Sequence, residues 1–377
     1  MKFTLTHQNA ATKKARAGVL ELAHGTIETP VFMPVGTNAT VKTLTPQALW
    51  DTGARLALAN AYHLYLRPGA EIVRQAGGLH RFAHWPGALL TDSGGYQIFS
   101  LADLRKITDE GAKFQSHIDG SYHQFTPENV VDLERALGPD IMMVLDECPP
   151  SNAERVVVER SVVRTVAWAA RAQERFYATA PLHGYDQAQF LIVQGGVHPD
   201  LRAKCAEALI AMDAPGYAIG GLAVGEPNEV MYEVIDVTTN VLPKEKPRYL
   251  MGVGTPIDLV EAIDRGVDMF DCVLPTRNAR NGQLFTRQGK LNLRNARWKN
   301  DYSVLDPETN SYASQNFTKA YMHHLFNTNE VLGLTLATMH NVTFYEQLLR
   351  EARQAILESR FGEWKNAVLA QYRGGGV

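Results

Sequence analysis

Little in this chain points toward a membrane or toward secretion. Its 377 residues include only three cysteines, Cys148, Cys205 and Cys272, widely spaced and odd in number. That excludes a disulfide framework and suits a reducing compartment. No apolar run approaches the ~18 residues that would span a bilayer, and the polar, basic N-terminus leads into no apolar stretch. A cytoplasmic protein with no membrane partner is expected. Net charge is also scarce: the formal value of −3 does not advertise a nucleic-acid binder, so any such role must rest on a local patch. There is no solenoid-period repeat, long linker or low-complexity tract, and only the Gly374-Gly375-Gly376 tail reads as disordered. The apolar share of 45% and charged share of 20% are those of a globular protein with a sizeable core. This length accommodates one large domain or two to three ordinary ones.

What the chain does have is concentrated in Met269-Phe-Asp-Cys-Val-Leu-Pro-Thr-Arg-Asn-Ala-Arg-Asn-Gly282. An apolar run delivers one carboxylate, Asp271, and is expected to break at Pro275 into a basic, amide-rich loop. From Cys272 to Asn300 there are seven basic residues (Arg277, Arg280, Arg287, Lys290, Arg294, Arg297 and Lys299) and no acid. A carboxylate at a strand end beside a cationic loop suits chemistry on an anionic polymer, since the loop can hold phosphates while the acid reacts. A plain strand end with a solvated basic loop would look the same in this segment alone.

The opening region reads as β-hairpins over Lys2–His7, Gly18–Leu22 and Thr26–Glu28. Eight short apolar runs follow: 30–35, 56–61, 88–91, 141–145, 190–193, 217–219, 249–252 and 269–274. Helical patterns follow most of them, from Asn152 to about Thr179, Pro199 to Met212, and onward from Glu229 and Pro256. This alternation predicts an α/β fold with a parallel sheet, and the count favours a (β/α)8 TIM barrel over an open doubly wound sheet. A hairpin near Lys113–Phe125 interrupts the series, with Asp119-Gly120 read as a two-residue turn. Thr126-Pro127-Glu128 then opens a helix with a capping residue, a proline and an early acid.

In such a barrel the reacting groups sit at the C-terminal ends of the strands. Those ends carry Asp92, Asp146, Gln194, Gly220 with Gly221, and Asp271. One such aspartate is usually a helix cap or turn former; the set of five ends is harder to dismiss. A carboxylate can accept from the ring N–H and exocyclic amine of a guanine-like edge, while an amide and a backbone N–H donate to its carbonyl. Two further carboxylates could divide the work at a glycosidic carbon as nucleophile and proton carrier. Gly252-Val253-Gly254 is a weak phosphate-loop signal, and Thr255-Pro256 marks a helix N-terminus that could meet a phosphate. His323-His324 and His340 read as surface or core histidines, with no cysteine near them.

Leu90-Thr-Asp-Ser-Gly-Gly-Tyr-Gln-Ile-Phe-Ser-Leu101, Gln194-Gly-Gly196, Gly220-Gly-Leu-Ala-Val-Gly-Glu226 and Met269–Gly282 together closely resemble the tRNA-guanine transglycosylases. The likeness runs from Thr29-Pro-Val-Phe-Met-Pro-Val-Gly36 to His340-Asn341 in the family's order. It implies a single domain over 1–377, a (β/α)8 barrel with N-terminal hairpins and an inserted C-terminal subdomain near 276–345. It also implies exchange of guanine at the tRNA wobble position for a 7-deazaguanine on the way to queuosine. By the resemblance Asp271 is the nucleophile at ribose C1′ and Asp92 the proton acceptor. Asp92, Ser93, Gly94, Gly95, Tyr96, Asp146, Gln194, Gly221 and Leu222 form the base pocket, Tyr96 stacking on the base unless it is a core aromatic. Gly252, Val253, Gly254, Thr255, Pro256, Ile257 and Asp258, with Thr276, Arg277, Asn278, Ala279 and Arg280, contact RNA. Cys148 and Val224 resemble the bacterial form, whose narrower pocket takes 7-aminomethyl-7-deazaguanine (preQ1). The family's dimers, in which one subunit catalyses while the other helps hold the tRNA, imply a homodimer here, and base-for-base exchange needs no nucleotide cofactor.

The chain departs from the family at its structural zinc, held there by three cysteines and a histidine. Thr309, Ser311 and Ser314 stand at the cysteine positions and only His340 matches. Hydroxyls stay protonated near neutral pH and one histidine cannot hold the ion, so no metal is expected. Hydrogen bonds among these four residues, or packing of Tyr312 and Phe317, would have to replace it. A non-catalytic tRNA-binding homologue or paired subunit is the alternative the lost cysteines favour, and retention of both aspartates argues against it. A nucleoside or glycoside hydrolase using the same acids with water is disfavoured by the basic segment and the guanine-reading set.

Overall fold

The computed structural model describes residues 1–8, 14–100 and 105–374. Leu101 of the motif above and Gly375 and Gly376 of the tail lie outside them. Three antiparallel strands open the chain: β1 (Lys2–Gln8), β2 (Arg16–Leu22) and β3 (Gly25–Thr29). The predicted parallel sheet follows as β4 (Val31–Pro34), β5 (Leu56–Asn60), β6 (Ala88–Asp92), β10 (Ile141–Met143), β11 (Ala188–Val193), β12 (Gly216–Ile219), β13 (Arg248–Leu250) and β14 (Met269–Cys272). Neighbours pair in chain order, and β14 returns to β4 with Asp271 opposite Met33. The last seam is narrow. Val35 bridges Leu58, and the Gly36 N–H donates to the Leu58 carbonyl at 2.7 Å, closing β4 on β5. The runs are continuously apolar because both faces are covered, by barrel filling inside and helices outside; Phe190, Leu191, Ile192 and Val193 are all fully buried.

Between β6 and β10 lie β7 (Arg105–Ile107), β8 (Ala112–Gln115) and β9 (Tyr122–Phe125), so the expected hairpin is a three-stranded sheet. Its turn also differs from the two-residue reading. Ser116 N–H bonds the Ser121 carbonyl and Gly120 N–H bonds Ser116, leaving a four-residue loop over 117–120. The helix Pro127–Leu137 begins where predicted, with Thr126 and Asn129 forming a reciprocal capping box; such a cap contributes about 1 kcal/mol. The helix expected from Asn152 starts at Arg155.

Pro275 does not end structure but begins it. The expected basic loop is instead the short helix Leu274–Arg280, proline being suited to a first turn where its missing N–H has no partner to lose. A hairpin follows, β15 (Gln283–Thr286) with β16 (Gly289–Asn292). The 27-residue helix Val331–Leu357 packs against that short helix, the hairpin and β4. Its buried Asn341 pins three segments, accepting from Phe285 N–H at 3.0 Å and donating to the carbonyls of Pro275 and Gln283. Among the described residues no helix is long and apolar enough to cross a membrane.

Candidate active site

An open cavity of about 590 Å³ sits over the C-terminal ends of the strands, within the roughly 300–1,000 Å³ of a small-molecule site. Asp92, Ser93, Gly94, Gly95, Tyr96, Asp146, Gln194, Gly221, Leu222 and Asp271 all line it. So do Gly252, Val253, Gly254, Thr255, Asp258 and Arg277, along with Cys148 and Val224. Pro256, Ile257, Thr276, Asn278, Ala279 and Arg280 do not. Thr276 and Ala279 are buried, and Asn278 is bonded to Gln283 at 2.8 Å. Asp258 reaches the cavity wall but is itself buried and held by Tyr232 at 2.6 Å and by Thr255, the cap of the helix Pro256–Asp264. Tyr96 is 60% exposed, which rules out the core-aromatic reading.

Asp271 lies near the end of β14, and only one of its oxygens is engaged. Oδ1 accepts from the Tyr249 hydroxyl at 2.6 Å and from the Gly252 N–H at 2.8 Å. Oδ2 accepts from no described residue, so it is the oxygen left free in the cavity. Burial pushes the carboxyl up from its ordinary range, and the two donors oppose that shift. Asp92 ends β6 directly opposite Asn60, the last residue of β5. The Asn60 amide donates to its Oδ2 and the Ala61 N–H to Oδ1 at 3.2 Å. Burial, and next the charge of Asp271, push Asp92 up to about 7.

The Asp146–Gln194 pair is closed on itself. Gln194 Nε2 donates to Asp146 Oδ2 at 2.6 Å, both residues being buried. Burial raises Asp146 to about 6 against the pull of that bond. Gln194 Oε1 is buried without a partner. Gly221, at φ +66°, lies so close that a Cβ would fall 2.3 Å from that oxygen, so only glycine fits. Gly94 is constrained likewise, at φ +82° with a Cβ position 2.6 Å from Tyr62 Cβ. Cys148 is no nucleophile, since burial pushes its thiol up to about 12.

Reading from sequence missed Asn60, Tyr249 and His63, which line the same cavity. The strand-end rule, applied to the second run as it was to the third, selects Asn60. Tyr249 sits in the seventh run, where an aromatic among apolar residues carries no polar signal.

The basic segment divides. Arg277 is exposed at the cavity, Arg280 is half-buried with one guanidinium nitrogen unpartnered, and Arg287 is buried in an ion pair with Glu351. At the positions of the family's zinc ligands, Ser311 Oγ bonds Ser314 Oγ at 2.7 Å, and Ser314 Oγ bonds His340 Nδ1 at 2.7 Å. His340 Nε2 faces the Phe285 carbonyl at 2.8 Å, so it carries the proton and Nδ1 accepts. Thr309 bonds Asp306 at 2.7 Å instead of joining that chain. Both imidazole nitrogens are engaged and no thiolate is present, so these residues do not fit zinc. Tyr312, 62% exposed, meets Phe317 edge-on.

His24, His80 and Asp140 also gather, at the opposite end of the barrel. Their imidazoles stack 3.5 Å apart at 14°, so no ion can lie in both ring planes, and each Asp140 oxygen already accepts a histidine nitrogen and a backbone N–H. His323 is likewise structural, bonded to the Leu293 carbonyl at 2.7 Å.

A closed parallel barrel with its polar groups gathered over the strand ends is the architecture of a (β/α)8 enzyme. The family described as queuine tRNA-ribosyltransferase matches residues 10–374. The chain is 54% identical over 374 residues to the queuine tRNA-ribosyltransferase of Caldanaerobacter subterraneus subsp. tengcongensis, covering 99% of this chain and 98% of that one. It is 52% identical over 374 residues to that of Pelotomaculum thermopropionicum, covering 99% of each chain. With that of Halothermothrix orenii the identity is 50% over 372 residues, covering 99% of this chain and 98% of the relative. The chain belongs to the queuine tRNA-ribosyltransferase family.

Proposed function

We propose that this protein exchanges guanine at the wobble position of tRNA for 7-aminomethyl-7-deazaguanine, a step toward queuosine, through a covalent bond between Asp271 and the ribose. The observation that carries the reading is one cavity holding both a half-engaged carboxylate, Asp271, and a proton-retaining one, Asp92, beside the Asp146–Gln194 pair. Asp271 Oδ2 attacks C1′, the C1′–N9 bond breaks, and its electron pair leaves on guanine. Asp92, poised near neutrality, gives that base its proton. The resulting carboxylate then takes the N9 proton of the incoming deazaguanine, which attacks C1′ and expels Asp271. Two displacements give net retention.

Asp146 accepts from the base's N–H groups, and Gln194 with the Gly221 N–H donates to its carbonyl. Val224 and Cys148 narrow the room for the 7-substituent. Arg277 and the Gly252–Thr255 turn hold the RNA backbone. A homodimer is supported by an aromatic row in which Tyr312 meets Phe317 edge-on and Phe317, Tyr321 and His324 stack in succession, with Tyr312 and Tyr321 exposed. The protein acts in the cytoplasm without zinc or another cofactor. Incubation with unmodified tRNA and labelled guanine tests the reading. Label in the RNA is the expected result; release of free guanine without incorporation, or binding without either, would overturn it.

A further inference from the structure

Arg202, in the helix Pro199–Ile210, is fully buried and pairs with no carboxylate among the described residues. A buried cation without a direct counter-ion is costly; this one hydrogen-bonds only carbonyls, with the Glu226 carboxylate favouring its charge from farther off. Its Nε donates to Gly196 O at 2.9 Å. Nη1 donates to Val193 O at 2.9 Å and Gly220 O at 2.7 Å, and Nη2 to Gly221 O at 3.3 Å. These acceptors belong to the two turns that follow β11 and β12, the turns that carry Gln194 and Gly221.

The other faces of those peptides are accounted for residue by residue. The Gly220 N–H is bonded inward to Val193 O at 3.1 Å, and the Ala223 and Val224 N–H groups are both taken by the Glu226 carboxylate. Among the described residues the Gly221 and Leu222 N–H groups have no partner, and both residues line the cavity. In a trans peptide the N–H points opposite to its own carbonyl. Holding the Gly220 and Gly221 carbonyls from behind therefore aims the Gly221 and Leu222 N–H groups away from the guanidinium. A hydrogen bond at a carbonyl also polarises the N–H of the same unit.

We infer that Arg202 is a positioning residue for the departing base: it fixes and polarises the Gly221 and Leu222 peptides so that they take up the negative charge reaching the purine carbonyl oxygen as the C1′–N9 bond breaks. This rests on the exchange reading above. When Asp271 displaces guanine, the N9 electron pair delocalises through the ring onto that oxygen, and the charge persists until Asp92 delivers its proton. Preorganised N–H donors aimed at developing charge are among the strongest catalytic devices. Arg202 supplies full positive charge behind them without touching the substrate.

The test measures single-turnover formation of the covalent RNA adduct on two anticodon stem-loop RNAs. One carries guanine at the reacting position and the other 8-azaguanine, whose more acidic ring makes it the better leaving base. Arg202→Met is expected to slow the guanine substrate on the order of 10- to 100-fold and the 8-azaguanine substrate far less, with KM for RNA unchanged. Arg202→Lys, which keeps the charge with fewer bonds, should recover part of the loss, and it reads the same contrast if the methionine variant does not fold. Equal slowing on both substrates would reduce Arg202 to a structural role and overturn the inference, as would wild-type rates in either variant. Failure of the wild-type protein to form any adduct would instead overturn the exchange reading, and this one with it.

Discussion

The Tyr249 hydroxyl and the Asp271 carboxylate are joined by a 2.6 Å hydrogen bond that engages the same oxygen as the Gly252 N–H. It fixes which oxygen of Asp271 is idle. Asp271→Asn is therefore expected to abolish the covalent adduct, an amide being a poor nucleophile, while tRNA binding survives; adduct at a substantial fraction of wild type would refute the assignment. Tyr249→Phe removes a bond to a charged acceptor, worth about 1.5–3 kcal/mol, so adduct formation should fall roughly 10- to 100-fold. Losing the donor also raises the Asp271 pKa further, moving the acid limb of the pH–rate profile to higher pH.

Asp92 titrates near 7, which gives the two half-reactions opposite pH dependence. Adduct formation needs the acid form and should decline as pH rises through about 7, whereas resolution by an incoming base needs the carboxylate and should climb there. Asp92→Asn should flatten both limbs, a result measurable by rapid-quench kinetics. The sign for stability follows from the same shift. A carboxyl whose folded pKa is raised contributes stability below its ordinary value of 3.8 and loses it as pH rises through about 7. The melting temperature of Asp92→Asn relative to wild type should therefore rise across that window.

Asp146→Ala or Gln194→Ala should weaken binding of free guanine by about 1–3 kcal/mol, the cost of an unpaired buried polar edge, with loss of discrimination against adenine. Isothermal titration of both bases measures this. Unchanged affinities in both variants would mean the reading pair has been assigned wrongly.

Replacing Arg277 should weaken tRNA binding and lower the slope of log K against log salt by about one. Arg287→Ala should leave that slope untouched and lower thermal stability, because the buried guanidinium is spent on its ion pair with Glu351. A change of slope in the second variant and not the first would reverse the assignment.

Elemental analysis should find far less than one zinc per chain, and a strong chelator should change neither the melting temperature nor exchange activity. Ser314→Ala breaks the chain at its centre, orphaning the His340 acceptor and the Ser311 O–H donor while the Ser314 N–H still bonds Ser311 Oγ. It should destabilise by about 1–3 kcal/mol. Stoichiometric zinc, or activity lost to the chelator, would show another ligand set.

The barrel was legible because continuous apolar runs such as Phe190–Val193 have one use in a strand–helix alternation, burial on both faces. The helix Leu274–Arg280 was misread because proline before polar residues signals a break and a helix start equally well, and Asn341, which anchors it at Pro275, lies 66 residues away. The strand-end carboxylates stood out as charge at the edge of apolar sequence. Tyr249, Asn60 and Arg202 did not, because their roles depend on which strand lies beside which. The turn at Asp119-Gly120 failed because register depends on Ser116 bonding Ser121, which no dipeptide signal encodes.

In the proposed reading, the bond between Asp146 and Gln194 makes occupancy of the pocket a substitution. With no base present, the Gln194 Nε2 donor and the Asp146 Oδ2 acceptor already satisfy each other, so a ligand gains at those two atoms only what it offers beyond the contact it displaces. A purine with the complementary edge replaces one internal bond by several and comes out ahead. One that presents an amine where a carbonyl is required breaks the same bond and leaves the Gln194 amide facing another donor. Discrimination in such a site is a threshold crossed before any chemistry begins, set by the protein's contact with itself.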